Sequence, residues 1–485
     1  MLFNSYEYIF LFLPTAFILY FYLNKLKLAV AAKLILIIAS LIFYGWWEPS
    51  YVFIILLSVL FNFSIGNLLS SKLLKSKISK KIVLAVGISA NLSLLGYFKY
   101  MDFFLENINS IFGTYYPYLN LALPLGISFF TFQQITYLVD SYKSETKEHS
   151  FLNYMLFVTF FPQLIAGPIV HHKEMLPQFA SKWNMVARYQ NISMGLFIFS
   201  IGLFKKVVIA DRLAALVSKG FDEADSLNMI EAWVTSLSYT MQLYFDFSGY
   251  TDMAIGAALL FNIKLPINFH SPYKAVNIQE FWRRWHITLT RFLKEYLYIP
   301  LGGNRAGELR TYLNLFTVFF LAGLWHGAGW TFIFWGMLHG LALIVHRIWK
   351  KIGYAMPRIL AWIITFNFVN IAWIFFRAEN FDDALKVLRG MFSSDLVLPA
   401  ALSEKLSFMK SYGIKFGSYL EALGAGKSAI VLLTIAMAIA VFAKNSNELT
   451  FANSQGKLKM AYSALLFSVS ILSMNRISEF IYFNF

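Results

Sequence analysis

Apolar runs of about twenty residues, separated by short polar linkers, recur from one end of the chain to the other. They predict membrane-crossing helices at roughly 8–23, 33–47, 51–69, 82–98, 121–139, 151–170, 192–210, 231–261, 311–346 (one or two), 358–376, 428–443 and 461–477. The expected fold is all-α, a polytopic membrane protein of about 11–13 transmembrane or re-entrant helices. The first run, FLFLPTAFILYFYL, lacks both a basic leader and a small-residue cleavage site, so it reads as a retained span. Two stretches depart from the pattern. Residues 262–310 mix charges with aromatics, and residues 377–427 form the longest polar stretch, whose FDDALKVLRGMF is spaced as an amphipathic helix. With no repeat and no separable soluble stretch, residues 1–485 are expected to form one integral-membrane domain.

The charges add an orientation. The first linker carries Lys25, Lys27 and Lys33 and the third Lys72, Lys75, Lys77, Lys80 and Lys81, whereas the second, WWEPS, has no basic residue. By the positive-inside rule the first and third linkers face the cytoplasm and the N-terminus lies outside. The net charge of +15, in a chain that is 58% hydrophobic and 14% charged, is the topogenic excess of a membrane protein and gives no ground for a nucleic-acid partner. The absence of cysteine excludes thiolate catalysis and Cys-ligated zinc.

Within this apolar background a few polar groups stand out. Thr311 to His346 is a run of 36 residues without Asp, Glu, Lys or Arg. One straight helix of that length would extend about 54 Å, against a hydrocarbon core of about 30 Å. It must bend or break, and Gly323, Gly327 and Gly329 cluster around His326 in LAGLWHGAGW. Irregular backbone at membrane depth belongs in a protein interior or on a wet cavity, which makes His326 a candidate catalytic residue. The alternative is a histidine at an ordinary turn. His339, in WGMLHG, is a weaker candidate of the same kind, and His346, beside Arg347 and Lys350, reads as an interfacial anchor.

The stretch EFWRRWHITLTRFLKEYLYIPLGGNR, 280–305, reads as a basic amphipathic helix too charged to span. On a helical period Trp282, His286, Leu289, Leu293 and Tyr296 share one face, so His286 points inward, either as a site residue or as a satisfied core histidine. Arg283, Arg284 and Arg291 suit an anionic group, either an acyl donor's phosphates or lipid phosphates. In 236–261 the only charges are Asp246 and Asp252, with Gln242 one turn before Asp246. Carboxylates inside a membrane segment need partners, so these three are candidates for structural pairing or for orienting a catalytic imidazole. His171 and His172 lack ligand-like spacing, and no metal site, Walker loop or nucleophile elbow is present.

Three stretches in this order, YFDFSGYTDMAIG, FWRRWHITLTRFLKEYLYIPLGGNR and LAGLWHGAGWTFIFWGMLHG, resemble the membrane-bound O-acyltransferase superfamily. The opening FNSYEYIFLFLPTAFILYFYL, TFFPQLIAGPIVHHKEMLPQF and IAWIFFRAENFDDAL are similar to its bacterial branch, which O-acetylates alginate and peptidoglycan and D-alanylates teichoic acid. The resemblance runs from about residue 3 to 390, with its motif core about 120–390. It implies helices around a central tunnel, a catalytic histidine at His326 and a second site position at His286. It also implies a bacterial inner membrane, an acetyl-CoA or acylated-carrier donor from the cytoplasm rather than a tightly bound cofactor, surrounding lipid, and an exported or cell-wall polysaccharide as acceptor. A separate periplasmic acetyltransferase partner completes transfer in such systems. On this reading the neutral His326 imidazole takes the acceptor hydroxyl proton, while His286 either orients the thioester carbonyl or hydrogen-bonds the acceptor. The competing classes are a membrane transporter and a non-catalytic scaffold of an export complex.

Overall fold

The computed structural model describes the chain except residues 72, 74–75, 146–149, 166, 452–455, 475–480 and 482–485. Lys72 and Lys75 of the third linker therefore lie outside the described residues. Among the described residues, six helices are long and apolar enough to cross a membrane: Glu7–Lys25, Ser50–Ser70, Lys77–Phe112, Tyr189–Glu223, Trp330–Ile352 and Arg358–Arg377. Shorter apolar helices, Ala29–Tyr44 and Lys427–Phe442, accompany them. Among the described residues, the only strands are the short parallel pair Val397–Pro399 and Lys415–Gly417 in the polar stretch.

The chain divides into two compact units. The first comprises Met1–Leu203, Tyr250–Ile267 and Asn453–Asn484. Lipid offers no hydrophobic drive for helices to associate, and this unit uses polar contacts and small residues instead. Asn62 and Asn91 donate to each other's carbonyl oxygens at 3.1 and 2.6 Å, and Gln134 donates to Ser58 Oγ at 2.9 Å. Gly195 and Gly256 let two helices meet backbone to backbone; a Cβ on Gly195 would lie 2.7 Å from the Gly256 oxygen. Ile127–Tyr142 is buried on nearly every side. Outward faces such as that of Phe53 and Leu57 remain apolar and exposed, as lipid-facing surface requires.

The second unit comprises Phe204–Gly249 and Asn268–Ala452, with Phe485. At its centre the uncharged 36-residue run folds as two helices, Glu308–His326 and Trp330–Ile352, joined by Gly327, Ala328 and Gly329. The break falls at the glycine cluster. The two helices touch through glycine: a Cβ on Gly336 would lie 2.3 Å from the Phe319 oxygen and 3.0 Å from Gly323 Cα. Arg358–Arg377 packs against the second of them. It is followed by the expected amphipathic helix, Phe381–Met391, capped by Asn380 and burying Ala384, Val387 and Met391.

Residues 280–305 depart from the continuous helix that their periodicity predicts. Ile278–Arg284 stops, and a new helix, Ile287–Leu293, starts after His286, which takes a left-handed backbone with φ 44°. The cause is a competing set of hydrogen bonds from residues 268–270. His270 N–H donates to the Arg284 oxygen at 2.9 Å and Ile287 N–H to the Asn268 oxygen at 3.0 Å. Those bonds hold His286 in a conformation that a non-glycine residue adopts only when its surroundings impose it.

Candidate active site

His326 is the last residue of Glu308–His326, and its burial follows from the glycine contact that draws the next helix against it. Trp325, Trp335 and Phe376 stand edge-on around its ring, with centroids 4.9, 5.0 and 5.1 Å away. An imidazole in such a setting sits among apolar walls that exclude water from whatever shares the space.

His286 is fully buried, at 0% exposure, against Phe247, 4.8 Å between centroids, and Trp325, 6.4 Å. Its Nδ1 lies 3.1 Å from Asn268 Oδ1. That same oxygen accepts from Thr288 N–H at 3.2 Å and from the Thr288 hydroxyl at 2.9 Å. A backbone N–H can only donate, so this atom of Asn268 must be the carbonyl oxygen, and the proton in the His286 contact must sit on the ring. The neutral imidazole therefore carries its hydrogen on Nδ1 and holds a lone pair on Nε2. Nε2 is buried and meets no hydrogen-bonding group among the described residues. Burial pushes the imidazole down to about 3, which keeps the ring neutral at physiological pH. As a neutral ring with a bare Nε2, His286 accepts a hydrogen bond and donates none from that edge.

The two motif histidines lie on one continuous line of ring contacts. His286 meets Trp325, Trp325 meets His326, His326 meets Trp335, and Trp335 meets His339 at 4.9 Å. His339, also at 0% exposure, thus joins the same cluster.

The remaining sequence candidates divide. Asp246 is buried and paired with Lys206 Nζ at 2.5 Å, and Lys206 also meets Asp211 at 2.9 Å. Asp246 precedes Phe247, so the ion pair anchors the helix that supplies one wall against His286. Gln242 lies one turn before Asp246 on Met229–Leu260, with its Oε1 buried. Asp252 is buried on the continuation of that helix, which belongs to the first unit. Arg284 is bound by its neighbours, donating to Glu280 at 2.8 and 3.0 Å and to the His270 oxygen at 3.2 Å. Arg283 is exposed, and Arg291 is half-buried on the next short helix. Motif reading missed Lys206 and Asn268. A lysine inside the apolar run of Tyr189–Glu223 was a usable signal for the first, whereas nothing near Asn268 sets it apart.

The sequence model of the membrane-bound O-acyltransferase family matches residues 10–381. The chain is 50% identical to a peptidoglycan O-acetyltransferase of Helicobacter pylori, over 100% of this chain and 98% of that protein. It is 40% identical to a probable alginate O-acetylase of Pseudomonas aeruginosa, over 81% of this chain and 75% of that protein. It is 27% identical to a teichoic acid D-alanyltransferase of Bacillus subtilis, over 55% of this chain and 72% of that protein. With these relatives the protein is an acyl-transferring multi-pass membrane enzyme, and the chain belongs to the membrane-bound O-acyltransferase family.

Proposed function

We propose that this enzyme moves an acetyl group from a cytoplasmic thioester, acetyl-CoA or an acylated carrier, to a hydroxyl of an exported cell-wall polysaccharide, with peptidoglycan as the acceptor. Peptidoglycan is favoured because the Helicobacter pylori relative matches the full length of the chain, whereas the Pseudomonas aeruginosa relative matches 81% of it. The protein resides in the bacterial inner membrane with its N-terminus outside; Lys25, Lys27, Lys33, Lys77, Lys80 and Lys81 in the first and third linkers support that orientation. A passage reaching the histidines from both faces lets a cytoplasmic donor and an outer acceptor meet without either crossing, and a periplasmic acetyltransferase partner receives or delivers the acyl group.

The observation that carries this reading is the position of His326 at the interrupted end of its helix, with His286 and His339 each one indole away. His326 takes the proton of the attacking hydroxyl and returns it to the departing thiolate, an effect of about 10²–10⁴ in rate. Of the two roles open to His286, its bare Nε2 favours accepting a hydrogen bond from the acceptor hydroxyl over orienting the thioester carbonyl. His326→Ala tests the assignment in cells: ester-linked acetate, released by mild alkali from purified wall and from secreted polysaccharide, is compared with the amount of enzyme in the membrane. Loss of wall acetate at unchanged enzyme level is expected. Near-normal acetylation sinks the His326 role, and loss confined to the secreted fraction moves the acceptor away from peptidoglycan.

A further inference from the structure

His339 has its tautomer fixed in the opposite sense from His286. Its Nδ1 faces the indole Nε1–H of Trp282 at 3.2 Å. Indole nitrogen donates and never accepts, so Nδ1 is the lone-pair nitrogen and the neutral ring carries its hydrogen on Nε2. That Nε2–H is buried and meets no hydrogen-bonding group among the described residues. The surrounding rings are Phe281, Trp282, Phe319, Trp335, Phe368 and Trp373, with centroids between 4.9 and 6.5 Å. Trp335, the ring shared by His326 and His339, adds a second buried N–H, on Nε1, that also lacks a protein partner. A buried donor without an acceptor is disfavoured in a folded interior, and here there are two, one on His339 and one on the indole that separates His339 from His326. An oxygen acceptor placed between the two rings would complete such a pair.

We propose that His339 Nε2–H, together with the Nε1–H of the adjoining Trp335 ring, binds the carbonyl oxygen of the donor thioester and stabilises the oxyanion formed there, and that Trp282 is a positioning residue that holds His339 in its donor tautomer. The inference rests on the acyl-transfer reading above and extends it to residues outside the His326 and His286 pair. In the step, the acceptor oxygen bonds to the thioester carbonyl carbon while its proton passes to His326. The carbonyl π pair moves onto oxygen, where the N–H donors meet it. When that pair returns, the C–S bond breaks and the thiolate takes the proton from the His326 imidazolium. His286, with only a lone pair on Nε2, cannot serve the oxyanion in its neutral form, which separates the roles of the two buried rings.

The test sets five variants beside the wild type in cells: His326→Ala, His339→Phe, His339→Gln, Trp335→Phe and Trp282→Phe. Wall-bound acetate is normalised to membrane enzyme, and histidine-selective ¹⁵N spectra of the solubilised protein report which ring nitrogen holds the proton. His339→Phe keeps a ring of similar size and is expected to lose about 10²–10³ in rate, the effect of removing one oxyanion donor. His339→Gln supplies an amide N–H and is expected to recover part of that loss, a rescue that a purely packing role does not give. Trp282→Phe is expected to lower the rate less than His339→Phe and to add Nδ1-protonated signal to the spectrum. His339→Phe acetylating at the wild-type rate, or a wild-type spectrum without an Nε2-protonated, Nδ1-bare histidine, overturns the inference. If the His339 variants fail to reach the membrane, the wild-type spectrum and the rate of Trp335→Phe, expected to fall and refuting if unchanged, still decide it. An active His326→Ala beside an inactive His339→Phe removes the base assignment and keeps the donor; the converse keeps the base and removes the donor.

Discussion

Asn268→Ala is the substitution whose consequences the geometry defines most fully. One carbonyl oxygen accepts three hydrogen bonds, from His286 Nδ1, Thr288 N–H and the Thr288 hydroxyl. The Thr288 hydroxyl can rotate to another acceptor, but the ring N–H and the backbone N–H are fixed in a buried place. Each costs about 1–3 kcal/mol when stranded, so the change is expected to destabilise by about 2–6 kcal/mol, a large part of a net stability of about 5–15 kcal/mol. The left-handed backbone of His286 loses part of the support that holds it, and the ring becomes free to carry its hydrogen on Nε2 instead of Nδ1. Acetylation is expected to fall at least about 10²-fold, since the acceptor nitrogen no longer faces the substrate in most molecules. Asn268→Asp keeps an acceptor for all three donors and separates the two effects. It is expected to restore most of the stability while its carboxylate favours the imidazolium form of His286, so that the acid limb of the activity profile moves to higher pH. Thermal unfolding of the detergent-solubilised protein, followed by loss of the monodisperse chromatographic peak, reads the first effect, and wall-bound acetate reads the second. An Asn268→Ala protein with a wild-type unfolding midpoint and wild-type acetylation refutes both the hydrogen-bond assignment and the tautomer argument built on it.

Three further outcomes are expected. Gly336→Ala places a methyl against the Phe319 backbone oxygen and Gly323 Cα, so the helix pair must separate, at about 1–3 kcal/mol or more and with loss of activity at His326; Gly329→Ala, whose nearest neighbour would lie at 3.5 Å, is the matched control and should be silent in the same melting and acetylation assays. Lys206→Met takes an ammonium partner from the buried Asp246 carboxylate and is expected to cost about 3–5 kcal/mol, with part recovered in the Lys206→Met, Asp246→Leu double variant, as a double-mutant cycle of unfolding midpoints will read. Burial holds the His286 imidazole down to about 3 and, with Lys173 and His171 nearby, that of His172 down to about 4, so below about pH 6.5 the unfolded chain binds protons that the folded chain does not. Stability is therefore complete above that pH and declines as pH falls toward 4; a midpoint that stays level from pH 7 to pH 4.5 contradicts the buried neutral state of both rings.

The sequence carried the helices and the break because both are written in local terms. An uncharged run too long for one crossing must fold back, and three glycines around His326 mark where. Residues 280–305 are different: an unbroken helical period runs through His286, which is not helical. Periodicity reports which side chains prefer one face and is blind to a remote segment that captures the backbone, here Asn268 and His270. The chemistry of the site depends on the same kind of remote contact. His286 and His339 are identical side chains, each buried at 0% exposure, yet one presents a lone pair on Nε2 and the other an N–H. The difference is imposed by Asn268, 18 positions from His286, and by Trp282, 57 positions from His339, and neither pairing is marked in the local sequence. A motif can place a histidine in a site, but the proton it carries is assigned by tertiary structure, so acceptor and donor can be told apart only once the fold has brought those partners to the ring.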